Sequence, residues 1–376
     1  MNPYKPTAGK MPPVLMGREQ DISDFFEGLA NGAGAPGRLM LVTGQRGFGK
    51  TVLLTEFVRI ARSQGWPVLM ETANEGMCRR IVDALQPAKP IVSEGTLAPS
   101  LSIDGLASAS LGGIRVTSKE IAPTLRSAIN KRLANVEEGK GILFAIDEAQ
   151  AGTREEMVAL ATAIQLVIQE QDLTDLPDSR KKGVAFVFAG VPSLVDEYLD
   201  DKVLTFLRRC QRHDLGEIPI PDVRNGYLQV ALDNGKTMDE DVAMHAAEAT
   251  GGFPYMIQLV GYYLWQSSDT RRSTTIELAD VDRAIRDAAR GFEDAVCAPA
   301  YRGLTRAQRD FCLAMLADGD AASDVREVAR RAKRGEAWGR RYRKSLIDAH
   351  ILVSDAPNMV RFSIPHFADY LRRTQL

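Results

Sequence analysis

A chain of 376 residues is long enough for two or three domains and for a well-buried core. Its 45% hydrophobic and 26% charged residues exclude a mostly disordered chain, and a net charge of −2 (47 basic, 49 acidic) excludes one that is basic throughout. Four scattered cysteines and four histidines without H-E-x-x-H spacing exclude a disulfide scaffold and a Cys-rich zinc centre, and no apolar run approaches the roughly 20 residues that span a bilayer, so a cytoplasmic protein without a membrane segment is expected.

Residues 1–13 read as a Pro-rich lead-in. Over 18–29, Ile22, Phe25, Phe26 and Leu29 recur at helical spacing and predict a short amphipathic helix. A loop at 31–37 leads into the apolar run 39–43 (LMLVT), which has the continuous hydrophobicity of a strand buried on both faces. Next comes Gly44-Gln45-Arg46-Gly47-Phe48-Gly49-Lys50-Thr51, followed by Val52 and a helix predicted over 50–63. It matches G-x-x-x-x-G-K-[ST] at every fixed position, in the strand–loop–helix context that the motif needs. Glycines let the backbone wrap a phosphate with no Cβ in the way. The loop amides and the helix N-terminus present positive potential to an anion. The segment from Gly44 to Val52 is therefore expected to grip ATP or ADP, with Lys50 reaching the β- and γ-phosphates and the Thr51 hydroxyl turned to Mg²⁺.

A strand at 68–70 and a helix at 78–85 follow, then an Ala/Ser/Gly/Pro-rich insertion or mobile loop at 86–118 and a helix near 124–135. Residues 142–148 read Ile-Leu-Phe-Ala-Ile-Asp-Glu: a buried strand from whose C-terminal end two carboxylates emerge, the place where open α/β sheets bind ligands. Asp147 is expected to hold Mg²⁺ and Glu148 to orient and deprotonate an attacking water. Glu148 reads alternatively as a helix-cap acid. Gln150 reads either as a γ-phosphate contact or as the start of the helix at 153–171. Another buried strand, 184–189, ends at Ala189 with Ser193 as the nearest hydroxyl. In the cluster 206–212, Arg208 and, second to it, Arg209 are candidates to stabilise transition-state charge; a solvated basic helix end is the alternative.

Strand-like runs stop after about residue 218, and helices are predicted near 223–233, 239–249, 254–265 and 278–289. A linker is expected at 297–301. Beyond it the charge changes sign: residues 301–376 carry 15 basic and 9 acidic side chains, a net of +6, against −8 for the first 300. Thr305 reads as the N-cap of a first helix, followed by helices at 325–332 and 336–349. Two strand-like runs, 351–354 and 359–363, flank a turn, and a final helix covers 365–373. Three helices and a hairpin are the order of a winged helix. Its third helix groups Arg340, Arg341, Arg343 and Lys344, which are expected to contact duplex DNA; a solvated face or a protein-binding module is the alternative.

Taken together the chain resembles AAA+ P-loop ATPases, and more narrowly their replication-initiator-like, archaeal-ATPase branch. Besides the loop and the acid pair, the resemblance rests on Gly17-Arg18-Glu19, on Ala189-Gly190-Val191-Pro192-Ser193-Leu194 and on Gly251-Gly252-Phe253-Pro254. It implies an α/β fold with a parallel five-stranded αβα core (1–218), a helical lid (219–294) and a C-terminal winged-helix domain (300–376). It also implies that Gly17, Arg18 and Pro254 enclose adenine. Tyr255 stands where many such proteins carry a sensor arginine, which implies slow turnover. The expected function is an ATP-dependent switch that binds DNA, with a homo-oligomer or a protein partner. The alternative is a nucleotide-locked signalling scaffold with little turnover. Glu148 and the large lid disfavour a small-molecule kinase.

Overall fold

The computed structural model describes residues 1–7, 9–45, 47–86, 118–192, 205–319 and 321–374, with only the backbone of 118–123, 205–206 and 355. Arg46, Ser193, Leu194 and residues 87–117 of the expected insertion lie outside the described residues. Two compact units divide the chain: Asp21–Thr43 with Leu54–His213, and Met1–Gln20 with Gly44–Leu53 and Asp214–Leu376.

The first unit is built on a sheet of β1 (Leu39–Gly44), β2 (Val68–Thr72), β3 (Gly141–Asp147), β4 (Gly183–Gly190) and β5 (Gln211–Leu215), in the order β2-β3-β4-β1-β5. The pairings β2–β3, β3–β4 and β4–β1 are all parallel. Every residue of β3 and β4 is buried, as strands covered on both faces require. On one face Leu41, Ile142, Phe144, Phe186 and Phe188 pack against α3 (Met77–Leu85), α4 (Ser118–Ala134) and α5 (Arg154–Asp172). Their neighbours of opposite parity, Met40, Val42, Leu143 and Val187, are equally buried, so the second face is covered too. Burying each such side chain contributes about 1.5–3 kcal/mol. In α1 (Glu19–Ala30) and α2 (Lys50–Ser63), Phe25 stacks on Phe57 at 4.4 Å between ring centres. Phe26, placed on the apolar face by spacing alone, is exposed.

β5 is a strand that the sequence pattern does not announce. Its residues Gln-Arg-His-Asp-Leu alternate, and only His213 and Leu215 are buried. His213 is held from α1 by Asp21, 2.7 Å from Nδ1, and Gln211 donates to Asp24 at 2.5 Å. An edge strand with one wet face needs only those two inward positions.

In the second unit, α6 (Ile220–Asp233), α7 (Glu240–Glu248), α8 (Pro254–Thr270) and α9 (Leu278–Phe292) form the helical region, joined by a two-stranded parallel ladder of β6 (Thr237–Met238) and β7 (Thr275–Ile276). Strand pairing therefore does not stop at residue 218. The expected linker is helical as well: a π-helical turn, Glu293–Cys297, runs into α10 (Ala298–Arg302). Then come α11 (Arg306–Met315), β8 (Ser323–Asp324), α12 (Val325–Arg331), α13 (Glu336–Asp348), the hairpin β9 (Leu352–Ala356) and β10 (Met359–Phe362), and α14 (Phe367–Thr374). Thr305 caps α11 in a reciprocal box with Gln308. β8 adds a third strand to the hairpin, antiparallel to β10. Gly339 lets α13 approach α12 closely: a Cβ there would lie 3.1 Å from Val325 Cγ1 and 3.2 Å from Ala329 Cβ. In α13 Leu346 is buried and Ile347 half-buried, while Ala349, just past its end, is exposed.

Candidate functional site

Gly44 closes β1, and the chain turns through the loop into α2 at Lys50. Two positions in this turn demand glycine: Gly47 at φ +86° and Gly49 at φ +88°, both in the left-handed region. Such a turn aims successive amides inward and makes an anion-binding nest. A Cβ on Gly49 would meet no described atom within 4 Å, so this part of the cradle is open. Lys50 is buried, and its Nζ donates to the carbonyls of Gly44 (2.8 Å) and Gln45 (3.0 Å). The ammonium is thus desolvated inside the loop, with carbonyls standing in for water. Thr51, one residue into α2, is exposed.

Three segments distant in sequence converge on this loop within the second unit. Gly17, at φ +61°, lies against the chain entering α6: a Cβ there would stand 2.9 Å from Ile218 Cγ2. Arg18 donates to Gly216 O at 2.8 Å and to Phe48 O at 3.4 Å, so its guanidinium braces the glycine-rich loop against residue 216. Gly252 packs so closely on Ile218 that a Cβ would come within 2.3 Å of its carbonyl oxygen. Phe253 lies over the loop itself, its Cζ 2.6 Å from where a Cβ of Gly47 would stand and its ring 5.2 Å from that of Phe48. Pro254 begins α8 directly behind it. Phe253 is the one aromatic residue inside the turn Gly251-Gly252-Phe253-Pro254, a signal that marks it without giving it a role.

In the sheet unit, Thr43 lies opposite Gly190 and Ile146 opposite Phe188, so β1 and β3 end at the same edge. Asp147 is buried at the end of β3, and its Oδ1 accepts from the Glu148 amide at 2.9 Å. Glu148 turns the chain in a left-handed conformation (φ 51°, ψ 42°), which costs a non-glycine residue on the order of 1–2 kcal/mol. Its carboxylate is bonded by the Gln150 side chain, and Gln150 in turn accepts from the Val191 amide at 3.2 Å. Nothing in the sequence ties residue 150 to residue 191. Arg208 and Arg209 sit exposed at the end of a short 3-10 helix, Thr205–Arg209. On α13, Arg340, Arg341 and Lys344 are exposed, whereas Arg343 is half-buried and donates to Ser354 of β9 at 2.7 Å. Three of the four α13 cations therefore face outward, and the fourth ties the helix to the hairpin. No group of three or more His, Cys, Asp or Glu among the described residues could hold a metal ion. No described helix is long and apolar enough to cross a membrane.

Residues 14–174 match the AAA ATPase domain family, and residues 294–371 match a family described as a domain of unknown function (DUF8462). No curated protein sequence matches the chain. Among solved structures, the ORC2 protein of Aeropyrum pernix in its ADPNP–ADP complexes is similar over 98% of this chain and 97% of its own, at 14% identity and a TM-score of 0.57. A Walker-type ATPase of Pyrococcus abyssi is similar over 95% of this chain and 96% of its own, at 17% identity and a TM-score of 0.58. At these identities the likeness is one of fold.

Proposed function

We propose that this chain, whose residues 14–174 match the AAA ATPase domain family, is an ATP-hydrolysing molecular switch that couples its nucleotide state to DNA binding. The observation that carries ATP binding is the loop: two left-handed glycines, an open cradle at Gly49 and the desolvated ammonium of Lys50 at the head of α2. The fold shared with the Aeropyrum protein described in ADPNP–ADP complexes supports a nucleotide there. On this reading Lys50 exchanges its carbonyl partners for the β- and γ-phosphate oxygens. The oxygen donors Thr51 and Asp147 suit a hard divalent cation such as Mg²⁺, which when bound offsets phosphate charge. Glu148 takes a proton from the attacking water as its oxygen bonds to the γ-phosphorus. The bond to the bridging oxygen breaks, leaving ADP and phosphate. Arg208, on an exposed turn, is assigned to the γ-phosphate held by a second copy.

In domain terms, residues 1–218 form the nucleotide-binding core, 219–294 the lid and 300–376 a winged helix. Supporting the last are α11 to α13, the three-stranded β8-β10-β9 sheet and the exposed Arg340, Arg341 and Lys344. Four cysteines buried at separate places suit a reducing cytoplasm.

Phosphate release should be measured with and without duplex DNA for the wild type, Lys50→Ala and Glu148→Gln. Lys50→Ala is expected to lose ATP binding, and Glu148→Gln to retain binding while losing at least about 100-fold in turnover. Unchanged ATP affinity in Lys50→Ala, or undiminished release from Glu148→Gln, contradicts the assignment. A second reading, a nucleotide-locked scaffold with little turnover, is favoured by Tyr255, which stands where many similar proteins carry a sensor arginine, and by the apolar strand end at Ala189; ATP binding without release in the wild type would select it.

A further inference from the structure

We propose that Gln150 is the positioning residue for Glu148, coupling its carboxylate to the end of β4. This rests on the reading of Glu148 as the base for water. A primary amide has one acceptor end and one donor end. The Val191 amide, the first beyond β4, can only donate, and it reaches Gln150 Oε1 at 3.2 Å. That contact fixes the amide's orientation and leaves the NH₂ group to donate to Glu148 Oε2. The reverse flip would set N–H against N–H at Val191 and oxygen against carboxylate at Glu148, so only one orientation satisfies both neighbours.

The geometry makes Glu148 depend on this contact. Its backbone is fixed from one side, in the left-handed region and with its amide on Asp147. Its side chain would otherwise rotate about three bonds. Holding Oε2 through Gln150 limits that rotation and leaves Oε1 to take the proton from water. A carboxylate displaced by about 1 Å from its productive position loses on the order of 100-fold in rate. The described end of β4 (Ala189, Gly190, Val191, Pro192) carries no polar side chain, so the polar link from this strand end to the reacting water runs through the Val191 amide and Gln150.

Two substitutions separate positioning from structural support. Gln150→Glu keeps an oxygen acceptor for Val191 but replaces the donor facing Glu148 with a second carboxylate. Gln150→Leu removes both. Positioning predicts that kcat falls at least about 10-fold in both variants. It also predicts that KM for ATP and affinity for a non-hydrolysable ATP analogue stay within about twofold of the wild type. Hydrogen exchange at the Val191 amide should speed up in Gln150→Leu only. In a Glu148→Gln background, Gln150→Leu should cause no further loss, because it acts through Glu148. Wild-type kcat in Gln150→Glu, a loss confined to KM, or an additive loss in the double variant each overturns the proposal. Should Glu148→Gln hydrolyse ATP like the wild type, the reading of Glu148 and this inference fall together. An inactive Glu148→Gln beside a fully active Gln150→Glu removes this inference alone.

Discussion

Gly47 and Gly49 share a backbone conformation but not a neighbourhood. A side chain at either pays for a left-handed φ of +86° or +88°, about 1–2 kcal/mol. Only at Gly47 would a methyl group also meet the Phe253 ring, 2.6 Å away. Gly47→Ala should therefore destabilise the protein more than Gly49→Ala in urea unfolding. Equal losses would mean that the phenyl group does not press on the loop in solution. The glycine and lysine positions of this turn are legible in the sequence because the motif is local, eight consecutive residues from Gly44 to Thr51. Arg18 shows the opposite case. The resemblance implies that it encloses adenine, while its guanidinium braces Phe48 O and Gly216 O, and that role depends on a residue 198 positions away.

Among the elements, the four apolar strands stand where their hydrophobic runs place them, and β2 and α4 are only longer than expected. The misses fall where the local pattern is short, half-wet or interrupted by proline. β5 buries two of its five residues, β6 and β7 are two residues each, and the junction at 293–302 stays helical although Pro299 and the small residues around it suggest a break. Pro299 follows directly on the π-helical turn, where the Ala298 N–H bonds to Glu293 O, so the regular α ladder is already interrupted next to its missing N–H. For α13 the structure divides a cluster that spacing alone treats as uniform. On the proposed reading, reversing Arg340, Arg341 and Lys344 to Glu should abolish a duplex-DNA mobility shift at low salt and leave the thermal midpoint within a few degrees. Arg343→Glu should instead lower the midpoint, because it breaks the contact with Ser354. A full shift from the triple variant would remove α13 from the DNA-binding role.

Taken as a whole, the chain keeps every cysteine buried, and burial pushes the Cys78, Cys210, Cys297 and Cys312 thiols up to about 12. The thiolate is the nucleophile, so at pH 8 each side chain is both protonated and inaccessible. Iodoacetamide at pH 8 should therefore label none of the four until the protein unfolds, which mass spectrometry of the intact chain would record. Rapid modification of any one would show that its element opens under native conditions. The charge contrast between the first 300 residues and the rest, −8 against +6, belongs to this scale as well: it shows that the even total conceals a basic end.

Sequence alone determined the strand–glycine loop–helix at 39–63, the buried central strands, the position of the acid pair 147–148 at a strand end and the helices after residue 218, because each is written in contiguous residues whose periodicity or spacing reports directly on burial and backbone conformation. Tertiary structure decided that Phe253 covers Gly47, that Gln150 links Glu148 to Val191, that Arg343 belongs to the hairpin and that residues 211–215 complete the sheet. Each of these joins positions far apart along the chain, or rests on one or two buried side chains. Local hydrophobic pattern carries no trace of such contacts; they exist only once the chain has closed on itself.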